Sequence, residues 1–359
     1  MITGNKGEWS EVYTFFKLLA EGRLYAADSD LNKIEEIFYP IINILRIQPE
    51  GDIRYIREGN IRILNESNEE LLSVPIEDFI ENAEILYRKI LESRGSFSTP
   101  EISEFLNTIK LSKLKASNSD KRDITVVVHD LNTGLNPELG FSIKSRIGNP
   151  STLLNASSAT NFTYEIEGFI SDDEIDYINN ISTRSKIRDR LKYIKEEKGY
   201  NLKLVEAGSE IFNLNMKLID SNLPIIVSKI LDYYFSIGIN KTVDLVDKLT
   251  EENPCNFNLN FGHSFYNYKI KAFLTDIALG LQPSTMWSGL YDATGGYIVV
   301  KENGDILCYH IYNWNEFQDY LLKNTKLESA SSTRHDYGVV YKNNNKFFIK
   351  LNLQIRFTS

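Results

Sequence analysis

Two short runs hold the residue types best suited to chemistry. Val126-Val127-Val128-His129-Asp130 closes on an acid, and after a turn containing glycine, asparagine and proline, Gly140-Phe141-Ser142-Ile143-Lys144-Ser145 brings up a lysine. Both read as short strands, and the alternation of side chains along a strand puts Ser142 and Lys144 on one face. A divalent ion held by the Asp130 carboxylate beside the Lys144 ammonium would bind a phosphodiester, polarise it and activate a water. The pair predicts phosphodiester hydrolysis, provided that residues 130 and 144 meet at one ion.

Acid, turn and S-x-K on successive strands fit the PD-(D/E)-x-K nuclease arrangement, with Asp130 as metal ligand and Lys144 orienting the attacking water or stabilising charge on the phosphorane. Ser142 stands where that arrangement has a second acid, so the pair of adjacent carboxylates is incomplete and a carboxylate from another element could complete it. Glu11, on a helix predicted over Gly7 to Leu19, is the expected supplier and second metal ligand. Glu8 lies on nearly the same helix face and is its alternative, and both glutamates also complement the positive end of the helix. Glu138 in the turn and Glu165 on the following strand are further alternatives, and Ser142 itself could bind a metal-bound water. One-metal and two-metal mechanisms both stay open.

The rest of the chain must position these groups. Its 359 residues exceed what a single core usually serves, so more than one lobe is expected. Hydrophobic content of 42% and charged content of 25% are those of an ordinary globular protein. No run is long and apolar enough to span a bilayer, and the first residues lack a signal-peptide core, so no membrane partner is expected. Cys255 and Cys308 lie far apart without zinc-type spacing, which makes a reducing cytoplasm the expected location. A net charge of -9 argues against a generic DNA-coating protein but not against a clamp with local basic groups. Two such runs flank the acid and lysine: Lys110, Lys113, Lys115, Lys121 and Arg122, then Arg184, Lys186, Arg188, Arg190, Lys192, Lys195 and Lys198 on a predicted helix. Each is a solvated face or a set of phosphate contacts.

Around the core strands, Asp52 to Leu64 alternates about Glu58-Gly59-Asn60 as a hairpin. Pro75 to Leu91 and Pro100 to Ile109 open with proline and continue as amphipathic helices. A third strand is expected over Asn161 to Ile166, and helices dominate from Asp172 to Leu249. Beyond Pro254 the texture turns aromatic and β-rich, with strands over Gly296 to Val300, Ile306 to Tyr312, Gly338 to Lys342 and Phe347 to Phe357, and a helix near Trp314 to Leu322. The expected architecture is α/β, a nuclease-like central mixed sheet flanked by helices with an aromatic β-rich C-terminal region. Its expected divisions are 1–110, a helical and hairpin region contributing to the active site; 111–250, the catalytic core with the basic helix; and 251–359, the DNA-recognition region.

Several blocks resemble the HpaII-type family of type II restriction endonucleases. They are Gly4-Asn5-Lys6-Gly7-Glu8-Trp9-Ser10-Glu11, Gly140 to Ser145, Thr152-Leu153-Leu154-Asn155-Ala156-Ser157, Thr160-Asn161-Phe162, Phe273 to Ala278, Tyr291 to Tyr297, Ser331-Ser332-Thr333-Arg334 and Leu351 to Phe357. The resemblance runs from end to end. It implies a Mg2+-dependent endonuclease that cuts both strands of a short palindromic DNA site, CCGG in the family's name-giving member, and leaves 5'-phosphate and 3'-hydroxyl ends. A palindrome favours a homodimer on double-stranded DNA. A cognate DNA methyltransferase would act on the same site without needing to bind this chain, and the pair would protect the host against foreign DNA.

A C·G-rich site is read by arginine or lysine forks on guanine and by acids or amides on the cytosine amino group. Ser331, Thr333 and Arg334 lie on a loop between a helix and a hairpin, with Arg334 the first base-reading candidate and Arg356 and Gln354 on the last strand behind it. A structural ion pair is the alternative for Arg356. Asn155 and Ser157 follow the catalytic strand and are candidates for phosphate or minor-groove contact, and Arg146 for the scissile backbone or a surface salt bridge. His129 should face away from Asp130 and His310 should sit in a strand, so neither is expected to act as general base. Two other readings share these features: a structure-selective repair or junction nuclease, and a catalytically silent DNA-binding protein lacking the acid at position 142.

Overall fold

The structure is a computed structural model and describes residues 2–48, 51–114, 122–131 and 133–358. Helix α1 (Lys6–Glu21) starts where Asn5 and Glu8 form a reciprocal cap, the Asn5 N–H donating to Glu8 at 2.8 Å and the Glu8 N–H to the Asn5 side chain at 3.1 Å. It ends on Gly22, whose φ of 68° suits the left-handed conformation of a helix stop. The two proline-led helices form as α2 (Ile76–Glu92) and α3 (Pro100–Thr108).

The main sheet has nine strands: β1 (Arg23–Ala27), β2 (Lys33–Arg46), β3 (Ile53–Glu58), β4 (Asn60–Leu64), β5 (Glu70–Val74), β6 (Ile124–Val128), β7 (Glu138–Ser145), β8 (Gly296–Val300) and β9 (Ile306–His310). Their order is β1-β9-β8-β7-β6-β2-β3-β4-β5. The β8–β7 and β9–β1 pairs are parallel and the others antiparallel, so the sheet is mixed as expected. Its closure was not expected. The long β2 pairs with β1 over Lys33 to Pro40 and with β6 over Ile41 to Leu45, so β1, β9, β8, β7, β6 and β2 form a barrel from which β3 to β5 extend. The reason that the sequence hides this is visible in β2: Glu35 and Glu36 are exposed, Pro40 interrupts the run, and no clean alternation survives the bend.

One face of the barrel strands converges with α1, α2 and α3 on a single core containing Trp9, Phe15, Phe16, Phe79, Val126, Phe141, Ile143 and Ile298. The opposite face carries Tyr297, Val299, Leu307 and Tyr309 into a second core. That core continues beneath a four-stranded antiparallel sheet with strands at Asn201–Ala207, Asn161–Glu167, Lys346–Asn352 and Val340–Asn343. Helices α4 (Asp172–Asn180), α5 (Lys186–Lys192), α6 (Glu210–Ile219), α7 (Leu223–Ile237), α8 (Thr242–Glu252), α9 (Phe265–Leu279) and α10 (Trp314–Lys323) complete the fold. Helices do dominate residues 172 to 249, with the strand Asn201–Ala207 as the exception. Among the described residues no helix is long and apolar enough to cross a membrane.

Candidate active site

The β6–β7 hairpin decides which acid can meet the lysine. Its register pairs Ile124 with Phe141 and Val127 with Glu138, so the start of β6 lies beside the end of β7. Asp130 follows β6 into the connecting turn, where its N–H bonds the Leu135 carbonyl at 2.9 Å. Lys144 lies toward the far end of β7, about 20 Å of extended chain beyond Glu138. The expected meeting of Asp130 and Lys144 is therefore not formed, because in an antiparallel hairpin the ends of the two strands point to opposite ends of the ladder.

Asp130 has its own surroundings. Its carboxylate is buried and accepts the Thr133 hydroxyl at 2.7 Å and the Tyr312 hydroxyl at 3.0 Å. The neighbouring His310 ring stacks on Tyr39 at 4.7 Å; burial pushes its pKa down to about 4, against the opposing pull of the Asp130 charge. His129 bonds Asn136 at 2.8 Å. This is a polar latch on the hairpin turn.

The acid linked to Lys144, through the Ser142 hydroxyl, is Asp123, the residue just before β6. One Asp123 oxygen accepts the Ile143 N–H at 2.7 Å and the Ser142 hydroxyl at 3.0 Å, and the Lys144 ammonium donates to the same hydroxyl at 3.0 Å. Lys144 also lies 5.5 Å from the centre of the Tyr297 ring, on the face shared by Ser142 and Tyr297 in adjoining strands. Burial first, and then the Asp123 charge, hold the Tyr297 hydroxyl far above its usual pKa, so it stays a neutral donor. At the start of β8, Gly296 has φ +107°, and a Cβ there would lie 2.0 Å from the Tyr309 carbonyl, so only glycine lets β8 approach β9 here.

Arg46, at the end of β2, feels the charges of both Glu11 and Asp123. Its guanidinium is 5% exposed and donates to the carbonyls of Asp123 at 3.3 Å, Lys113 at 3.3 Å and Leu114 at 2.9 Å. Burial pushes its pKa down, and the Glu11 charge, ahead of Tyr55 and Asp123, pushes it back up. Glu11 is buried on α1, which docks on β7 through the 2.9 Å bond from Ser10 to Ser145. Of the glutamates weighed from the sequence, Glu11 alone shares this neighbourhood. Glu8 serves the helix cap, Glu138 is exposed at the hairpin turn, and Glu165 pairs with Lys346 at 2.9 Å.

Asp123, Glu11 and the Ser142 hydroxyl offer hard oxygen donors, which suit a magnesium-like ion and not a soft metal. Among the described residues no group of three or more His, Cys, Asp and Glu side chains gathers. Two carboxylates match the way Mg2+ is usually held, with water and phosphate filling the remaining positions. The sequence signal for Asp123 was present: an acid at the very start of the first apolar strand faces the end of the second in any two-stranded antiparallel turn.

The recognition candidates divide. Thr333 and Arg334 are exposed, and the Ser331 hydroxyl accepts the Arg334 N–H at 3.3 Å. Their loop is pinned by Asn161 donating to the His335 carbonyl at 2.8 Å, by Tyr337 donating to Ala330 at 2.7 Å, and by buried Arg190 donating to Gly338. Arg356 pairs with Glu328 at 3.1 Å and donates to the Pro150 carbonyl at 2.6 Å, the bonds of its structural alternative. Gln354 is half-buried beside it, its carbonyl bound by the Glu328 N–H. Asn155 is exposed, whereas Ser157 sits in the turn into Asn161–Glu167, with its N–H on Thr160 and its carbonyl on Asn352. Arg146 donates to Asn324 at 3.3 Å, and among the described residues it forms no salt bridge. Of the first basic run, Lys115 and Lys121 lie outside the described residues.

A mixed α/β barrel carrying an acid, S-x-K and a helix glutamate at one end of a hairpin is the kind of site that a phosphodiester-cutting enzyme needs. The HpaII restriction endonuclease family matches residues 5–357 of the chain. The type II restriction enzyme HpaII of Haemophilus parainfluenzae is 48% identical over 358 residues, covering 99% of this chain and 98% of that protein. The chain belongs to the HpaII restriction endonuclease family and is a type II restriction enzyme, a site-specific deoxyribonuclease. No solved structure matches it.

Proposed function

We propose that this protein hydrolyses both strands of duplex DNA at a short palindromic site in a Mg2+-dependent reaction, using a PD-(D/E)-x-K-like site in which Asp123 takes the place first expected of Asp130. CCGG is the expected target from the family resemblance, and protection of a bacterial host against foreign DNA is the expected role. Asp123 and Glu11 would hold the ion, with Ser142 as a further ligand or an anchor for a water. The chemistry supplied there by bound Mg2+ is polarisation of the scissile phosphate and a lower pKa for a water. Lys144 orients that water and stabilises charge on the phosphorane; its ammonium is kept in register by Ser142. The water oxygen forms the new bond to phosphorus, the bond to the 3'-oxygen breaks, and that oxygen takes up a proton, leaving 5'-phosphate and 3'-hydroxyl ends. Arg46 offsets the mutual repulsion of the two carboxylates.

Thr333, Ser331 and Arg334 read the bases, with Arg334 on guanine, while Asn155 and Arg146 approach the backbone. Two copies on one palindrome cut one strand each, in the cytoplasm, where a cognate methyltransferase modifies the same site. The observation that carries this reading is the Asp123, Ser142 and Lys144 constellation in a chain of this family. Digestion of linear plasmid with Mg2+ tests it: discrete fragments with ends at one sequence are expected. Cutting only at junctions would favour a structure-selective enzyme, and sequence-specific binding with no cutting would favour a silent binder.

A further inference from the structure

The cations between Arg184 and Lys198 do not form one basic face. Lys195 pairs with Asp232 at 2.7 Å, Lys198 with Glu174, and Arg190 is buried on the carbonyls of Gly338, Asn179 and Ile181. Arg184, Lys186, Arg188 and Lys192 remain, and the first three of them border one concavity. Among the described residues none of these three meets a carboxylate at ion-pair distance, and the nearby Asp189 is taken by the Thr183 hydroxyl at 2.5 Å. They line an open concavity of about 300 Å³ whose far wall includes Ser329 and Ser332.

That wall is the base of the loop carrying Ser331, Thr333 and Arg334. Arg190 fixes α5 to the other end of the same loop through Gly338. The loop is also tethered to the catalytic strand's exit: Arg356 joins Glu328, the residue before Ser329, to Pro150, which lines a small pocket together with Lys144 and Arg146. A chain with a net charge of -9 repels a polyanion at long range, so a group of cations without ion pairs beside the reading loop is a local attraction for one.

We propose that this concavity holds backbone phosphates of the duplex next to the bases read by the 331–334 loop, with Arg184, Lys186 and Arg188 as the phosphate contacts. The proposal rests on the DNA-cutting reading above and adds a site to it. Each neutralised phosphate of duplex DNA steepens the fall of log affinity with log salt by about 0.9. Three contacts contribute about 2.7 to that slope, which is about a 40-fold larger loss of affinity between roughly 50 and 200 mM salt.

The test is metal-free binding to a cognate and a scrambled duplex across that salt range, comparing wild type, the triple variant Arg184→Ala, Lys186→Ala, Arg188→Ala, and Lys192→Ala. Lys192 is exposed on the same helix but outside the concavity. The triple variant is expected to have a slope shallower by 2 to 3 on both duplexes, and Lys192→Ala is expected to match wild type. An unchanged slope in the triple variant overturns the proposal, and so does a loss confined to the cognate duplex, which would mark base reading. A wild-type protein that binds and cuts while the triple variant keeps its slope refutes this site alone; a wild-type protein that neither binds nor cuts duplex DNA refutes the underlying function as well.

Discussion

Replacing Asp123 and Asp130 separately by Asn distinguishes the two ends of the hairpin. At position 123 the amide oxygen can still accept the Ile143 N–H and the Ser142 hydroxyl, now 2.7 and 3.0 Å from a carboxylate oxygen, so the local fold should survive. Weakening two charge-assisted bonds to neutral ones costs about 1–3 kcal/mol of stability. The larger effect is on rate, because the negative charge that holds the ion is gone. Loss of about 4 kcal/mol of transition-state stabilisation, within the several kcal/mol that a metal Lewis acid supplies, is a drop of about a thousandfold. At position 130 the same substitution keeps an acceptor for the Thr133 and Tyr312 hydroxyls at the opposite end of the ladder from Lys144, so stability should change by about 1–3 kcal/mol and single-turnover cleavage by less than about threefold, under 1 kcal/mol. The assay is single-turnover cleavage of plasmid at fixed Mg2+, with metal-free DNA binding and a thermal melt as controls on folding. A folded, DNA-binding Asp130→Asn protein that no longer cuts, beside an active Asp123→Asn protein, would refute the register argument.

Lys144→Ala should abolish cleavage while leaving metal-free site binding intact, as gel shift and digestion of the same preparation would show; full activity would remove the lysine from the mechanism. Arg46→Met should destabilise the protein by about 3–5 kcal/mol, since it leaves buried partners without their cation, and denaturant unfolding would measure the loss. Asp276 is 8% exposed, and burial pushes its carboxyl from 3.8 up to about 6, with the Tyr291 hydroxyl at 2.7 Å pulling it partly back. The folded protein then binds the extra proton between those values, so wild type loses stability as pH rises through that window and does not regain it above. Asp276→Asn should accordingly gain about 2–3 kcal/mol relative to wild type at pH 8 and almost nothing at pH 4; unfolding curves at the two pH values decide it.

Local signals in the sequence carried far. Capping residues, proline-led amphipathic runs and the Glu58-Gly59-Asn60 turn specify α1 to α3 and the β3–β4 hairpin through contacts a few residues apart. Ser142 and Lys144 share a face because alternation is intrinsic to a strand, and Glu11, on the helix expected to carry it, acts on Arg46, whose guanidinium bonds the Asp123 carbonyl. Three things were lost. Asp123 was hidden at the end of a Ser/Lys-rich connector, while Asp130 stood conspicuously at the close of an apolar run. Barrel closure depends on one strand bending between distant partners, which no short window records. Arg356 looks like a base reader until its partners, Glu328 and the Pro150 carbonyl, are brought in from remote parts of the chain.

Because the reactive groups gather where β6 begins, residues 129–131 and 133–137 lie at the remote end of the ladder, and β2 holds β6 in register independently through Ile44 and Val126. That segment should tolerate tinkering. Lengthening, trimming or grafting a reporter peptide there would sacrifice the Asp130 latch yet leave the cutting apparatus untouched, giving relatives of this enzyme a place to diverge and engineers a handle.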